Sequence, residues 1–454
     1  MTQSPLEPMA CSLVEDAVRR GATAAEVIAW EGDEFSVGVR MGRIERLKEA
    51  TSKSLGLRVF VGTSSASAFT SDFTPASLDK LVSRASEMAR VTSADPLAGL
   101  AEPDALGQYQ GELALYSEDV SEVSTAQRIE MAARAEAAAF QVDPRIVNSE
   151  GASLESGVTV KVYVNSYGFS GAYRSSYCAV SATPVAEAAG ASGKRLERDY
   201  WYSVARSVAA LESPESIGRK AAERALRRLG ARKVATRRVP VVFDPETAAS
   251  LLGNVFEALR GDAIYRRASF LAGCLGQKIA AETVTITDDG VRPGGLGSRP
   301  FDDEGVCSGV TPVVVQGVLQ NYLLNSYTAR KLGLRTTGNA VRGPAGPPSV
   351  GPKNFYLHGG PHSPEEIIRS VKNGLYVTEL IGFGVNVVTG DYSRGAAGQW
   401  IENGQLTYPV AEVTIAGNLA EMLHGIRMVG SDLEFRGPVA APTLLLEGLT
   451  VGGA

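Results

Sequence analysis

An α+β fold is predicted for this chain: an N-terminal portion with antiparallel sheet and flanking helices, then a C-terminal β-rich domain with long Gly-rich loops. Two observations predict it. In the first half, segments with apolar residues at helical spacing are interspersed with segments that alternate with period two. From Val239 onward the texture changes to short apolar strands between glycine-rich stretches. The chain has 454 residues, and a domain usually takes about 150. Boundaries are expected at residues 1–95 (an N-terminal α+β subdomain), 96–235 (a central α+β subdomain) and 236–454 (the β-rich domain).

Cys11, Val14, Ala17 and Val18 fall at helical spacing, and Gly21 supplies a stop. Residues 26–30 and 34–40 alternate, the second run with Phe35, Val37 and Val39 on one face. Met41, Gly42 and Arg43 form a turn to residues 44–47, and 55–61 with 66–70 complete a meander. Ser77 is expected to cap the next helix, which carries Leu78, Leu81, Val82, Ala85 and Met88. Residues 93–118, rich in Pro, Gly, Ala and acidic side chains, read as a linker or long loop. Ser124 caps a helix over 125–141. Strands over 158–164, 168–173 and 177–185 follow, the first two joined at Asn165-Ser166-Tyr167-Gly168. A helix over 214–229 closes the unit. In the last domain, a strand at 239–243 leads through Pro245, placed where a first helical turn tolerates proline, into a helix over 246–259. Short strands are expected at 283–287, 309–315, 318–322, 374–380, 405–413 and 444–446.

The charge balance removes some function classes. With 45 basic and 50 acidic residues the net charge is −5, so no cationic face is available for a polyanion and no direct nucleic-acid contact is expected. Cys11, Cys178, Cys274 and Cys307 lie far apart with no CxxC pair, as free thiols in a reducing compartment do. The first fifteen residues lack a basic segment followed by an apolar one, and no uncharged apolar run reaches the roughly 20 residues that span a bilayer. A cytoplasmic protein with no membrane partner is expected.

Four stretches have a texture that propensity does not require. The first is Phe301-Asp302-Asp303-Glu304-Gly305, followed by 317–323. The second, 326–333, runs on to 337–342. The third is Gly382-Phe383-Gly384-Val385-Asn386 with 389–398, and the fourth is 408–419. In this order they resemble the TldD/PmbA family of peptidases, also labelled modulators of DNA gyrase. The resemblance runs from Val239 to Gly453, with a weaker match around 38–61. It implies a two-part architecture and assembly into dimers. It also implies two branches that together make a heterodimeric metallopeptidase for unfolded or small peptides. The TldD branch holds zinc through a HExxxH helix, with a cysteine near the C-terminus.

This chain resembles the other, PmbA or TldE-like, branch. A catalytic zinc needs about three protein ligands and an open position for water. Aligning the shared ending Leu259-Arg260-Gly261-Asp262 puts the motif over 252–257, where Leu252, Gly253 and Glu257 replace its two histidines and its glutamate. Glu257 is either a remnant of such a site or a solvated helix residue. No cysteine lies in 430–442. His358 and His362 are four apart, but Gly359-Gly360-Pro361 between them forbids a regular helix. Glu365 and Glu366 suit the start of a helix at Pro364, and His424 follows a short helix over 419–423. No metal ligand and no catalytic residue is assigned, so zinc is expected in a TldD-like partner.

Other chemistries fare no better. Three histidines, two of them in a Gly-Pro loop, leave no base for a serine triad, and Cys307 reads as a packed thiol. The glycines of 382–398 lack the Gly-Lys-Ser/Thr ending of a phosphate loop. Polar loop residues are the remaining candidates: Glu304, Asn339, Arg342, Asn386, Ser393 and Arg394 for binding an extended peptide, with Asp391 beside them. The plainer reading has them satisfying their own loops, Arg394 pairing with Asp391. The function expected is a non-catalytic PmbA/TldE-like subunit paired with a TldD-like metallopeptidase chain. The alternatives are an autonomous metal-dependent hydrolase using His358 and His362, and a stand-alone homodimeric peptide-binding protein.

Overall fold

The computed structural model describes residues 5–190 and 193–453. The α+β class holds, and the N-terminal portion is built on one seven-stranded sheet. Its spatial order is Ser64–Thr70, Arg43–Val61, Ala24–Arg40, Ile146–Asn165, Ser170–Gly190 and Gly193–Arg198, with Trp201–Ala205 also on the fifth strand. The strand Ala24–Arg40 is the junction. It pairs antiparallel with the strand that follows it, Arg43–Val61 (Val27 opposite Leu57), and with the distant Ile146–Asn165 (Val27 opposite Val164).

Alternation along that strand sends odd and even positions to opposite faces. The odd side chains meet four helices. Ala25, Val27 and Ala29 pack with Leu6–Arg19 and Pro75–Val91, while Phe35, Val37 and Val39 pack with Thr125–Phe140 and Pro214–Arg227. The even face near Glu26 and Ile28 receives the C-terminal domain, where Ile28, Tyr163 and Phe301 form a small core of their own.

Several elements depart from expectation in extent. Residues 26–30 and 34–40 form one strand of 17 residues, because Glu31-Gly32-Asp33, which resembles a turn in sequence, pairs on both sides. The strand expected at 158–164 begins at Ile146 and carries bulges near its start. Helix Pro75–Val91 starts from Thr74, and Ser77 is not its cap: its hydroxyl donates to Asp72 Oδ2 at 2.5 Å. Ser124 does cap Thr125–Phe140, in a reciprocal box with Gln127. The stretch 93–118 lies against the C-terminal domain as a strap, Gly107 N donating to Gly305 O and Tyr109 N to Pro300 O.

In the C-terminal domain, five strands close on themselves. Arg237–Phe243 pairs parallel with Asn373–Ile381, followed by antiparallel Asp391–Glu402, Gln405–Asn418 and Leu444–Gly452, and the last returns to pair with Arg237–Phe243. Closure leaves the ring without an edge. A second sheet of five short strands contains Ile286–Asp289 and Asn354–Leu357. The strand expected at 318–322 shrinks to Val318–Leu319. Helix Pro245–Leu259 packs into the same large core as both sheets. Among the described residues, no helix is long and apolar enough to cross a membrane.

Candidate functional site

Helix Pro245–Leu259 starts from the buried Asp244, whose side chain accepts from Thr247 N at 2.9 Å. Leu251, Leu252, Val255 and Phe256 face the core, and Leu252 is only 3% exposed. Glu257 points to solvent and accepts from Arg260 Nη1 at 2.9 Å; Arg260 also pairs with Asp262. The three positions that align with a HExxxH motif thus offer one solvated carboxylate, already engaged, and no imidazole. That donor set does not fit zinc.

The histidines lie elsewhere. The ring of His358 shares a hydrogen bond of 2.8 Å with Thr287 Oγ1 and stacks on Tyr356, and burial holds its pKa below the usual value. His362 sits in the loop before helix Pro364–Ser370, in whose first turn Glu366 completes a capping box with Ser363. His424 ends helix Leu419–His424. Among the described residues, no three His, Cys, Asp or Glu side chains are grouped so as to hold a metal ion. Cys307 is exposed rather than packed, and partial desolvation still raises its thiol, the opposite of an activated nucleophile.

The six candidate residues fall into two groups. Glu304, Asn339 and Arg342 all have almost wholly buried side chains; Glu304 and Arg342 lie at the seam between the N-terminal sheet and the C-terminal domain, while Asn339 is bonded within the C-terminal domain. Arg342 Nη1 donates to Glu26 on the central strand. Glu26 also pairs with Arg58 at 2.8 Å and accepts from the Tyr163 hydroxyl at 2.6 Å. Burial opposes ionisation of Glu26, but the two guanidiniums and the phenol outweigh it and hold the carboxyl below the ordinary range. A second link crosses beside it. Lys161 Nζ donates to Asp303 at 2.6 Å, and Asp303 accepts from Arg342 N at 2.8 Å.

Glu304 accepts from Ser326 N at 2.8 Å, yet burial drives its pKa up. Asp302 is pushed up to about 7 by burial and by the charge of Glu304, despite backbone donors from Glu304, Val306 and Ala340. Asn339 Nδ2 donates to Asp288 at 2.6 Å, and Asp288 faces the fully buried Lys353. Glu26 and Asp303 thus meet cations across the seam, whereas Asp302 and Glu304 form a buried acidic pair whose members each resist ionisation.

Asn386, Ser393 and Arg394 form the second group, on the hairpin that joins Asn373–Ile381 to Asp391–Glu402. Asn386 Oδ1 accepts from Val388 N at 3.0 Å, and Ser393 N donates to Gly384 O at 2.7 Å. Arg394 does not pair with Asp391. Its Nη1 reaches Ser250 on helix Pro245–Leu259 at 2.7 Å, while Asp391 takes the hydroxyl of Thr389 at 2.6 Å. The hairpin therefore rests on the helix that aligns with the metal motif.

Known proteins match this arrangement. Profiles of the PmbA/TldA metallopeptidase domain 1, central domain and C-terminal domain match residues 25–89, 118–229 and 236–453 in turn. The metalloprotease PmbA of Escherichia coli is 40% identical over 429 residues, covering 94% of this chain and 92% of that protein. The chain belongs to the PmbA/TldD family. A Bacteroides thetaiotaomicron protein described as a candidate modulator of DNA gyrase shares the whole structure, with a TM-score of 0.91 at 29% identity and full coverage of both chains. TldE of Thermococcus kodakarensis has the same fold, with a TM-score of 0.88 at 21% identity over 97% of this chain and 99% of that one.

Relatives named as metalloproteases place this PmbA/TldD chain in a peptidase family. The first two family segments, separate in sequence, supply strands to one sheet. Sequence reasoning missed Glu26, Arg58, Lys161 and Tyr163, the N-terminal half of the seam. The available signal was Glu26 at the head of an apolar run, a charge with no local partner. It also missed a cleft of about 190 Å³ at the start of helix Pro245–Leu259, lined by Tyr202, Glu246 and Arg436. There the Tyr202 hydroxyl donates to Glu246 at 3.1 Å, and burial raises the Glu246 pKa.

Proposed function

We propose that this chain is the metal-free, PmbA/TldE-type subunit of a cytoplasmic metallopeptidase that processes unfolded or small peptides. Zinc and the hydrolytic water belong to a TldD-like partner chain, with which it forms a heterodimer. The observation that carries this reading is the side-chain content of helix Pro245–Leu259: Leu252 is committed to the core and Glu257 to Arg260. A water-activating zinc needs several converging donors and a base, and this helix lacks them. In this reading Asn386, Ser393 and Arg394 lie along the path of the bound peptide. Glu304, Asn339 and Arg342 belong to the same peptide-binding half, where their buried side chains brace the fold rather than touch the peptide.

Metal analysis and a peptidase assay test the proposal together. The purified chain should carry less than about 0.1 zinc per molecule, since the described residues include no preorganised ligand set. It should leave an unstructured peptide intact alone and cleave it when co-expressed with a HExxxH-bearing homologue. Cleavage by the single chain, abolished by EDTA, is the result that defeats the proposal.

A further inference from the structure

The cleft at the start of helix Pro245–Leu259 holds a charge imbalance. It measures about 190 Å³, and the charged side chains in its lining are Glu246, Glu434 and Arg436. Arg436 is shared three ways. Its guanidinium pairs with Glu434, lies 3.3 Å from Glu212 and 3.7 Å from Glu246, and also donates to Tyr202 O at 2.7 Å. Of these carboxylates, Glu212 has a second cation, Lys220 at 2.7 Å. Arg224 is taken up by Asp199 and Asp244, at 3.3 and 3.5 Å, and Arg292 rests on the Phe435 ring outside the lining.

Glu246 is left under-neutralised. Its one ion pair among the described residues is the long contact to Arg436, and its hydrogen bond comes from a neutral group, the Tyr202 hydroxyl at 3.1 Å. The side chain is 24% exposed, largely out of water yet part of the cleft wall. Burial raises its pKa, as befits a carboxylate short of positive charge. The rest of the wall is mainly apolar, with Pro245, Ala249, Pro438 and Val439. Apolar walls around one such carboxylate suit an ammonium carried on an alkyl stem, which buries the stem and offers its charge at the tip.

We infer that this cleft binds a primary ammonium of the peptide, from a lysine side chain or the peptide's own amino terminus, with Glu246 and the Tyr202 hydroxyl as its acceptors. An anionic group does not fit, because Arg436 is already surrounded by three carboxylates. The position in the fold agrees. Glu246 and Ser250 stand one turn apart on the same helix face, and Ser250 accepts from Arg394, which lies on the peptide path proposed above. One helical turn rises about 5.4 Å, close to the span of two extended residues. A peptide passing Arg394 therefore reaches the cleft within a few residues.

This inference rests on the peptide-binding part of the reading above, and titration of the full chain alone tests it without zinc or a partner. Short unstructured peptides with a C-terminal fluorophore serve as probes. One pair carries lysine or Nε-acetyl-lysine behind a blocked amino terminus; the other lacks lysine and has a free or an acetylated terminus. In at least one pair the charged form should bind about tenfold or more tighter than its acetylated counterpart, the worth of a hydrogen bond between charged groups. Which pair shows the gain identifies the source of the ammonium. Glu246→Gln removes the charge, while Ala249→Leu fills the cleft and keeps it; each should erase the difference. Both positions are only half-buried on the helix, so the fold should hold. Equal binding within both pairs by wild type overturns the inference and leaves the partner-subunit reading standing, since zinc content and cleavage with the homologue judge that reading separately. A preference that survives either substitution overturns the cleft as the site. A chain that binds none of the peptides overturns the inference and the peptide-binding half together.

Discussion

Glu304 and Asp302 sit two residues apart in a turn buried at the seam, and each is held above its ordinary pKa. An acid whose folded pKa is raised contributes stability that is complete below its unfolded value, near 4, and is lost as pH rises through the folded value. For Asp302 that window runs from roughly pH 4 to about 7. Glu26 and Asp303, with lowered pKa values, act in the opposite sense and lose their contribution in acid. Glu304→Gln should therefore gain stability relative to wild type as pH rises from 5 to 8, since it removes one raised acid and the charge that lifts the other. Thermal melts across that range check it; parallel curves would show that the pair does not titrate there. The sequence singled out Glu304, Asn339 and Arg342 through their motif context. Their partners were not legible, because Glu26 and Arg342 stand 316 positions apart and only the folded sheet brings them together.

Elements differ in how much of themselves they show in sequence. Helix starts are local chemistry, so the reading of Ser124 as a cap needs only three residues of context. Removing that cap by Ser124→Ala should cost about 1 kcal/mol, read as a shift in denaturant midpoint without a change in slope. Long strands are harder, because Gly32 between Glu31 and Asp33 imitates a turn until strands on both sides are present. The glycines of loop 382–390 show the converse. Their number was visible, but the close approach to Ser393 O that demands Gly384 was not. Gly384→Ala should force the hairpin apart and destabilise the chain by about 1–3 kcal/mol. Chemical denaturation reports the loss, and an unchanged midpoint would mean that the hairpin yields without cost.

Across the whole molecule, the N-terminal sheet and the C-terminal domain are joined by charges out of reach of water. Arg342→Ala leaves Glu26 with Arg58 as its one cationic partner among the described residues, and breaking a buried pair from one side costs about 3–5 kcal/mol. Urea unfolding should show this loss. A variant within about 0.5 kcal/mol of wild type would mean that water enters the seam. The α+β class was legible because periodicity survives in single segments. The sharing of one sheet by two sequence regions was not, because pairing of Ala24–Arg40 with Ile146–Asn165 leaves no trace in either strand alone.

The ring of five strands also dictates an order of events during synthesis. Arg237–Phe243 finds one neighbour in Asn373–Ile381 and the other in Leu444–Gly452, roughly two hundred positions later. Until a ribosome has released that last segment, the nascent domain presents two raw strand borders. Such borders recruit stray chains, and pairings this distant form slowly. A chain cut before Leu444 should accumulate as aggregate, and supplying residues 444–453 as a separate peptide should return part of it to solution.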